Sequence, residues 1–277
     1  MIDKRTEQFV SDFAVFDTKI MYLWRCLITR IIFVLLLPVP SLAAIYDPIL
    51  DQTKPNSIII IGETHKKVES VEFFQSLVLD VIKRYQCVVI GLEIASDQQV
   101  VLDAVMQGRA SVEEITLWPP IDHPPYRQMI KRFAEIKQQY QCIKLIAIDS
   151  GLENDVDRDQ WMTLKLAEQV GDKPVLVLLG ALHTIQKITW VPAKDGHPPL
   201  VAQLLLAKGY QIKSYPQRWL EPKICPEGKH RVAIFYRADQ PKALAILNES
   251  LLSLIRTIPP KTANDVVNGV IAWKCGN

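Results

Sequence analysis

The sequence predicts an α/β protein, a three-layer α/β/α arrangement around a mainly parallel central sheet, with the active edge at the strand carboxyl ends. Three observations predict it. Four apolar runs rich in β-branched residues (57–61, 87–92, 143–148 and 175–179) are continuous rather than alternating, as expected for strands buried on both faces. Amphipathic segments of helical period separate them, which is the signature of βαβ units. Each run also stops at a polar or charged group, where a parallel sheet opens to ligands.

The elements follow in order. Residues 66–85 set Val68, Val71, Phe74, Val78 and Ile82 on one helical face. Ser111 and Glu114 form a capping-box pattern that opens a short helix. Residues 126–140 and 155–170 repeat the helical period, and Gly171 sits where the second of these closes. Beyond Gly180 the spacing predicts a short helix over 199–208, strands over 211–215 and 232–236, a helix over 241–258 and a last strand over 266–273. The Pro-Pro pairs after Trp118, His123 and His197 mark loops, not a domain boundary.

Composition bounds the function. The chain has 277 residues, 49% hydrophobic, with 32 Lys+Arg against 30 Asp+Glu and a formal charge of +2. That balance, with basic residues scattered along the chain, gives no electrostatic footprint for nucleic acid. At the N-terminus Arg25 and Arg30 precede the apolar run 31–37, followed by Ser41-Leu-Ala-Ala44. This reads as an export signal over residues 1–43, with Met21 as an alternative start, leaving one domain over 44–277. The run is shorter than the roughly 20 residues needed to span a bilayer, so no stable membrane anchor is expected after cleavage. A periplasmic or secreted location follows as an expectation.

In such a compartment Cys87, Cys142, Cys225 and Cys275 suggest disulfides. Three pairings exist. Cys87 and Cys142 each follow Tyr-Gln and each open an apolar run, so Cys87–Cys142 with Cys225–Cys275 is preferred; buried free thiols are the alternative reading for the first two.

The chemistry collects at the strand ends. The first run ends in Gly62-Glu63-Thr64-His65, the second in Glu93, the third in Asp149 and the fourth in Gly180-Ala-Leu-His183. Two histidines and three carboxylates on one edge are expensive to desolvate unless something uses them. Arg158, with Asp159 beside it and Met162 one turn on, has two readings: from charge alone a solvated residue of the charge run 155–159, or a group that reaches the strand edge to neutralise an oxyanion or bind a carboxylate. His123, His197 and His230 read as structural.

Gly62-Glu-Thr-His65, Gly91-Leu-Glu93, Arg158-Asp159-x-x-Met162 and Gly180-x-x-His183, in this order, resemble the superfamily joining Tiki/TraB proteins, erythromycin esterases and ChaN-like haem-binding proteins. The pattern Trp118…Tyr126…Ala134…Ile146-Ala-Ile-Asp149 looks most like the ChaN-like (haem-binding uptake, iron-regulated) branch. The resemblance spans residues 58–184. Two departures are the lack of a lipid-anchor cysteine and Asp149 in place of an amide.

The resemblance implies three chemistries. Tiki-like members imply a divalent metal (zinc, manganese or cobalt) on His65, Glu93 and His183, with water activated at an open position. Esterase-like members imply His65 as general base on water, Glu63 or Glu93 orienting it and Arg158 stabilising the oxyanion. ChaN-like members imply haem, for which Tyr126 and the Trp118 region are offered, with Asp159 as a further cofactor contact. The expectation is therefore an exported hydrolase of an ester or amide bond in a small molecule or peptide. Catalysis would fall to His65, Glu63, Glu93, Arg158 and His183, and a haem-binding protein without turnover is the alternative.

Overall fold

The computed structural model describes residues 43–151, 157–192, 197–221 and 225–276. The chain divides into a short unit, Met1–Ala44, and a large one, Ile45–Asn277. The expected export signal lies almost wholly outside the described residues. Among those described, no helix is long and apolar enough to cross a membrane.

The large unit is built on a seven-stranded sheet. In chain order its strands are β1 (Ser57–Glu63), β2 (Val88–Ala95), β3 (Ile143–Asp149), β4 (Val175–Gly180), β6 (Gln211–Trp219), β7 (Arg231–Arg237) and β9 (Gly269–Cys275). Their spatial order is β3-β2-β4-β1-β6-β9-β7. All neighbours are parallel except β7, which runs antiparallel to β9. The short strands β5 (Thr189–Trp190) and β8 (Thr257–Ile258) form a separate antiparallel pair.

Every residue of β1 is buried, so the run of four isoleucines serves both faces of the sheet at once. Ile59 and Ile61 join one core with helices α1 (Ala43–Leu50), α2 (Val68–Tyr85), α3 (Gln99–Met106) and α4 (Pro124–Lys137). Ile58 and Ile60 join the other, under α5 (Arg158–Ala167) and α6 (Val201–Ala207). A third cluster gathers α7 (Pro241–Glu249) against the last strands. The three-layer α/β/α expectation holds.

Local chemistry explains the joints. Helix α2 ends at Gln86, which takes a left-handed conformation and returns its N–H to the Ile82 carbonyl. Strand β3 lies at the sheet edge, and the Gln99 amide stands in for a missing strand: it donates to the Leu145 carbonyl at 3.1 Å and accepts from the Ala147 N–H at 2.7 Å.

Two expectations are corrected. The helix expected over 241–258 stops at Glu249; a 3-10 turn over Leu252–Leu254 follows, and then β8. Pro259 disfavours helical backbone at Ile258, which pairs instead with Thr189. Helix α3 was not expected, because Val100-Val-Leu102 is a continuous apolar run without an evident stripe.

Both preferred disulfides form, Cys87–Cys142 and Cys225–Cys275. The first cysteines precede β2 and β3, whose register sets Val88 beside Ile143, so the two sulfurs meet at one end of a parallel pair. Replacing Cys87 and Cys142 together by serine opens a loop with a sequence separation of 55 residues. The expected loss is about 2–4 kcal/mol in chemical denaturation. Peptide mapping without reduction should recover the Cys87–Cys142 link.

Candidate functional site

Strand β1 delivers the first pair. Gly62 is its penultimate residue, and a Cβ there would lie 2.6 Å from Thr184 Cγ2 and 2.9 Å from Ala181 Cα. Only glycine lets the turn after β4 pack this closely against β1. Glu63 follows, almost fully buried, and its Oε1 accepts from His65 Nδ1 at 2.8 Å. With Nδ1 donating to the carboxylate, Nε2 carries the lone pair. The His65 side chain remains 32% exposed, so that nitrogen's ring is reachable from solvent. The hydrogen bond to Glu63 raises the His65 pKa above its ordinary value, with burial opposing it. Burial raises the Glu63 carboxyl as well, against the lowering effect of the His65 bond.

Arg158 supplies the second cluster. It opens α5, where Asp157 caps the helix by accepting from the Gln160 N–H at 2.8 Å. Its Nε donates to Asp149 Oδ1 at 2.7 Å and its Nη2 to Asp149 Oδ2 at 2.8 Å; Nη2 also bonds Glu93 Oε1. Glu93 Oε2 accepts from the Gly180 N–H at 2.7 Å. Burial alone would lower the Arg158 pKa, but the bonds and charges of Asp149 and Glu93 outweigh it and raise it. Trp118 walls the site, with the guanidinium 5.2 Å from its ring centre and the His65 ring edge-on at 5.4 Å.

The 3-10 turn after β4 (Ala181–Thr184) presents His183, whose Nδ1 lies 2.6 Å from Asp159 Oδ1. The same oxygen accepts from the Val201 N–H at 2.8 Å, tying α5 to the start of α6. Gly180 is the meeting point. A Cβ on it would lie 3.5 Å from His183 Cδ2, 3.7 Å from Glu93 Oε2 and 3.7 Å from His65 Cε1. Beside Trp118 and Asp149 a cleft of about 410 Å³ opens, lined also by Asp97, Gln98, Leu117 and Pro119.

Glu63, His65, Glu93, Arg158 and His183 lie together at this edge, and Asp149 joins them as a partner of Arg158. Two expected cofactor contacts are placed differently. Tyr126 is fully buried on α4, away from the surface, with its hydroxyl unpartnered; burial and the charges of Glu63, Glu93 and Asp149 raise its pKa well above normal. Asp159 is turned to His183 and Val201, an orienting group for the imidazole. His123 and His197 are structural here: the first caps α4 and the second stacks on Trp190.

A divalent metal does not fit the expected set. Glu93 has both oxygens engaged and a guanidinium against it, which disfavours a second cation. Among the described residues no three His, Cys, Asp or Glu side chains form a metal-binding group. Sequence reasoning missed the brace behind the site, in which Trp161 Nε1 donates to Ser96 Oγ at 2.7 Å and Ser96 Oγ to the Asp149 carbonyl at 2.6 Å. The three-residue step from Arg158 to Trp161, which puts both on one side of α5, was the available signal.

Arg158→Met would leave Glu93 and Asp149 buried without their counter-charge. A loss of about 3–5 kcal/mol is expected in urea denaturation at neutral pH. The His65 imidazole, followed by proton NMR, should titrate above 6.5 and move down in Glu63→Gln. The stability from this pairing is therefore full below the unfolded histidine pKa and is lost as pH rises through the folded one.

No protein-family model matches the sequence, and no curated protein matches it significantly. Solved structures do share the architecture. A Bacillus cereus protein aligns over 85% of this chain and 92% of its own at 12% identity, with a TM-score of 0.56. ChaN of Campylobacter jejuni, a structure reported with cofacial haem, aligns over 84% and 92% at 13% identity, with a TM-score of 0.50. An erythromycin esterase aligns more loosely, over 81% and 91% at 8% identity, with a TM-score of 0.49. The chain therefore shares the fold of ChaN and of the Bacillus cereus protein.

Proposed function

We propose that this protein is a hydrolase of an ester or amide bond, with His65 as the general base. The observation that carries the reading is the Glu63–His65 pair, a buried carboxylate holding a partly exposed imidazole by Nδ1 at the open edge of a parallel sheet. Glu63 fixes the tautomer, so His65 Nε2 accepts a proton from water as the water oxygen attacks the carbonyl carbon. The charge that develops on the carbonyl oxygen is stabilised by Arg158, whose Nη1 is not engaged by Glu93 or Asp149. His183, oriented by Asp159 and meeting His65 at Gly180, returns a proton to the leaving group. The cleft beside Trp118 receives the acyl or alcohol portion. The two disulfides suit an oxidising compartment, which supports a periplasmic or secreted location.

Haem binding without turnover is the second reading. It is favoured by the exposure of His65 beside the Trp118 ring, and the ChaN structure shows haem on a related architecture. Here His65, not Tyr126, would be the axial candidate.

Turnover of a panel of p-nitrophenyl esters and anilides tests the first reading. His65→Ala should lose about 10²–10⁴ in kcat/KM with an unchanged circular dichroism spectrum. The rate should climb with pH through a midpoint above 6.5, since the base must be neutral, and Glu63→Gln should move that midpoint down. No turnover anywhere in the panel, with a Soret band on haem titration that His65→Ala abolishes, would decide for the second reading.

A further inference from the structure

Arg218 is the unused cation of the carboxyl edge. It lies near the end of β6, which is parallel to β1 with Gly62 beside Pro216. That pairing stops at Pro216 and β1 itself ends at Glu63, so Arg218 lies just beyond the paired stretch, at the level where the chain leaves β1 through Thr64. On its other side β9 offers Ala272, which cannot pair with a charge. The side chain is half-buried, and its Nε is wholly buried without a hydrogen-bond partner. Among the described residues no carboxylate stands close enough to form an ion pair with it. Burial holds its pKa below the ordinary value with no charge to restore it, the opposite of Arg158. The Thr64 hydroxyl is likewise buried and unpartnered.

We propose that Arg218 binds an anionic group of the substrate, a carboxylate or a phosphate, at the carboxyl end of β6, with the Thr64 hydroxyl as a second donor. The guanidinium fork matches both anions, and a counter-charge brought by the ligand explains why the protein supplies none. The word substrate rests on the hydrolase reading; the anion site itself does not.

The test is calorimetric titration of the full chain at low ionic strength, with inorganic phosphate and with succinate as separate probes. Saturable binding of at least one is expected, and the preferred probe tells phosphate from carboxylate. Arg218→Gln should weaken it at least about tenfold, and Arg218→Lys should weaken it less. Arg218→Met should raise the Tm of the ligand-free protein, because it removes an unpaired, partly buried charge. Failure of both probes to bind, equal binding by Arg218→Gln, or a lower Tm for Arg218→Met would each overturn the proposal. Titration needs no turnover, so absence of esterase activity would leave this result standing. In an active enzyme, Arg218→Gln should also lower the ratio of kcat/KM for mono-p-nitrophenyl succinate over p-nitrophenyl acetate.

Discussion

The buried carboxylates at the ends of β1, β2 and β3 on one sheet edge would repel one another if nothing neutralised them, and Arg158 is the group that does so for the adjacent pair β2 and β3. It grips Asp149 with Nε and Nη2 and reaches Glu93 at the end of the adjacent strand. A guanidinium suits this place better than an ammonium, because its planar fork can meet two carboxylates at once. Replacing it by an apolar side chain would strand two buried charges, each worth several kcal/mol in lost hydration. The arrangement of the edge therefore depends on where α5 begins. The Asp157 cap sets that start, and the Trp161–Ser96–Asp149 brace holds it against β3.

The two histidines use a common device. Each follows a Gly-x-x step off a buried strand, and each gives Nδ1 to a carboxylate: His65 to Glu63, the last residue of β1 and two before it, and His183 to Asp159 from α5. Opposed to them, Gly180 does two jobs. Its N–H orients Glu93, and its missing Cβ leaves room where His65, Glu93 and His183 converge. A methyl here would meet all three at ordinary van der Waals distance, whereas at Gly62 it would clash with Thr184 and Ala181. The site is thus shaped as much by what the glycines omit as by what the polar residues supply.

The sheet was legible because β1, β2, β3 and β4 announce themselves by continuous apolar runs, and the site because every polar residue that ends such a run lands on one edge. Partnership was not legible. Nothing in the spacing tells that Asp159 serves His183 while its neighbour Arg158 turns to β3 and β2; those choices are made by the crossing of α5 over the sheet. Tyr126 could have been placed correctly, since Met129, Ile130 and Phe133 follow at helical spacing and are buried with it. An aromatic residue in such a stripe belongs to the core, whatever motif surrounds it. The region after residue 241 failed for a different reason: its leucines fit a helix, and only Pro259 and the pairing with β5 say otherwise.

The two arginines of this edge divide its electrostatics. Arg158 is charged but satisfied, and its partners hold it so firmly that it can offer only its remaining donors to a reacting group. Arg218 is charged and unsatisfied, on the strand that flanks β1 from the other side. An enzyme gains rate from a cation that stabilises developing charge without moving, and gains affinity from one that meets charge already present in the ground state. The first task needs a preorganised guanidinium braced by carboxylates; the second needs an unpaired one, because a resident carboxylate would compete with the ligand. On the proposed hydrolase reading Arg158 would act on the transition state and Arg218 on binding, so loss of the first should fall on kcat and loss of the second on KM.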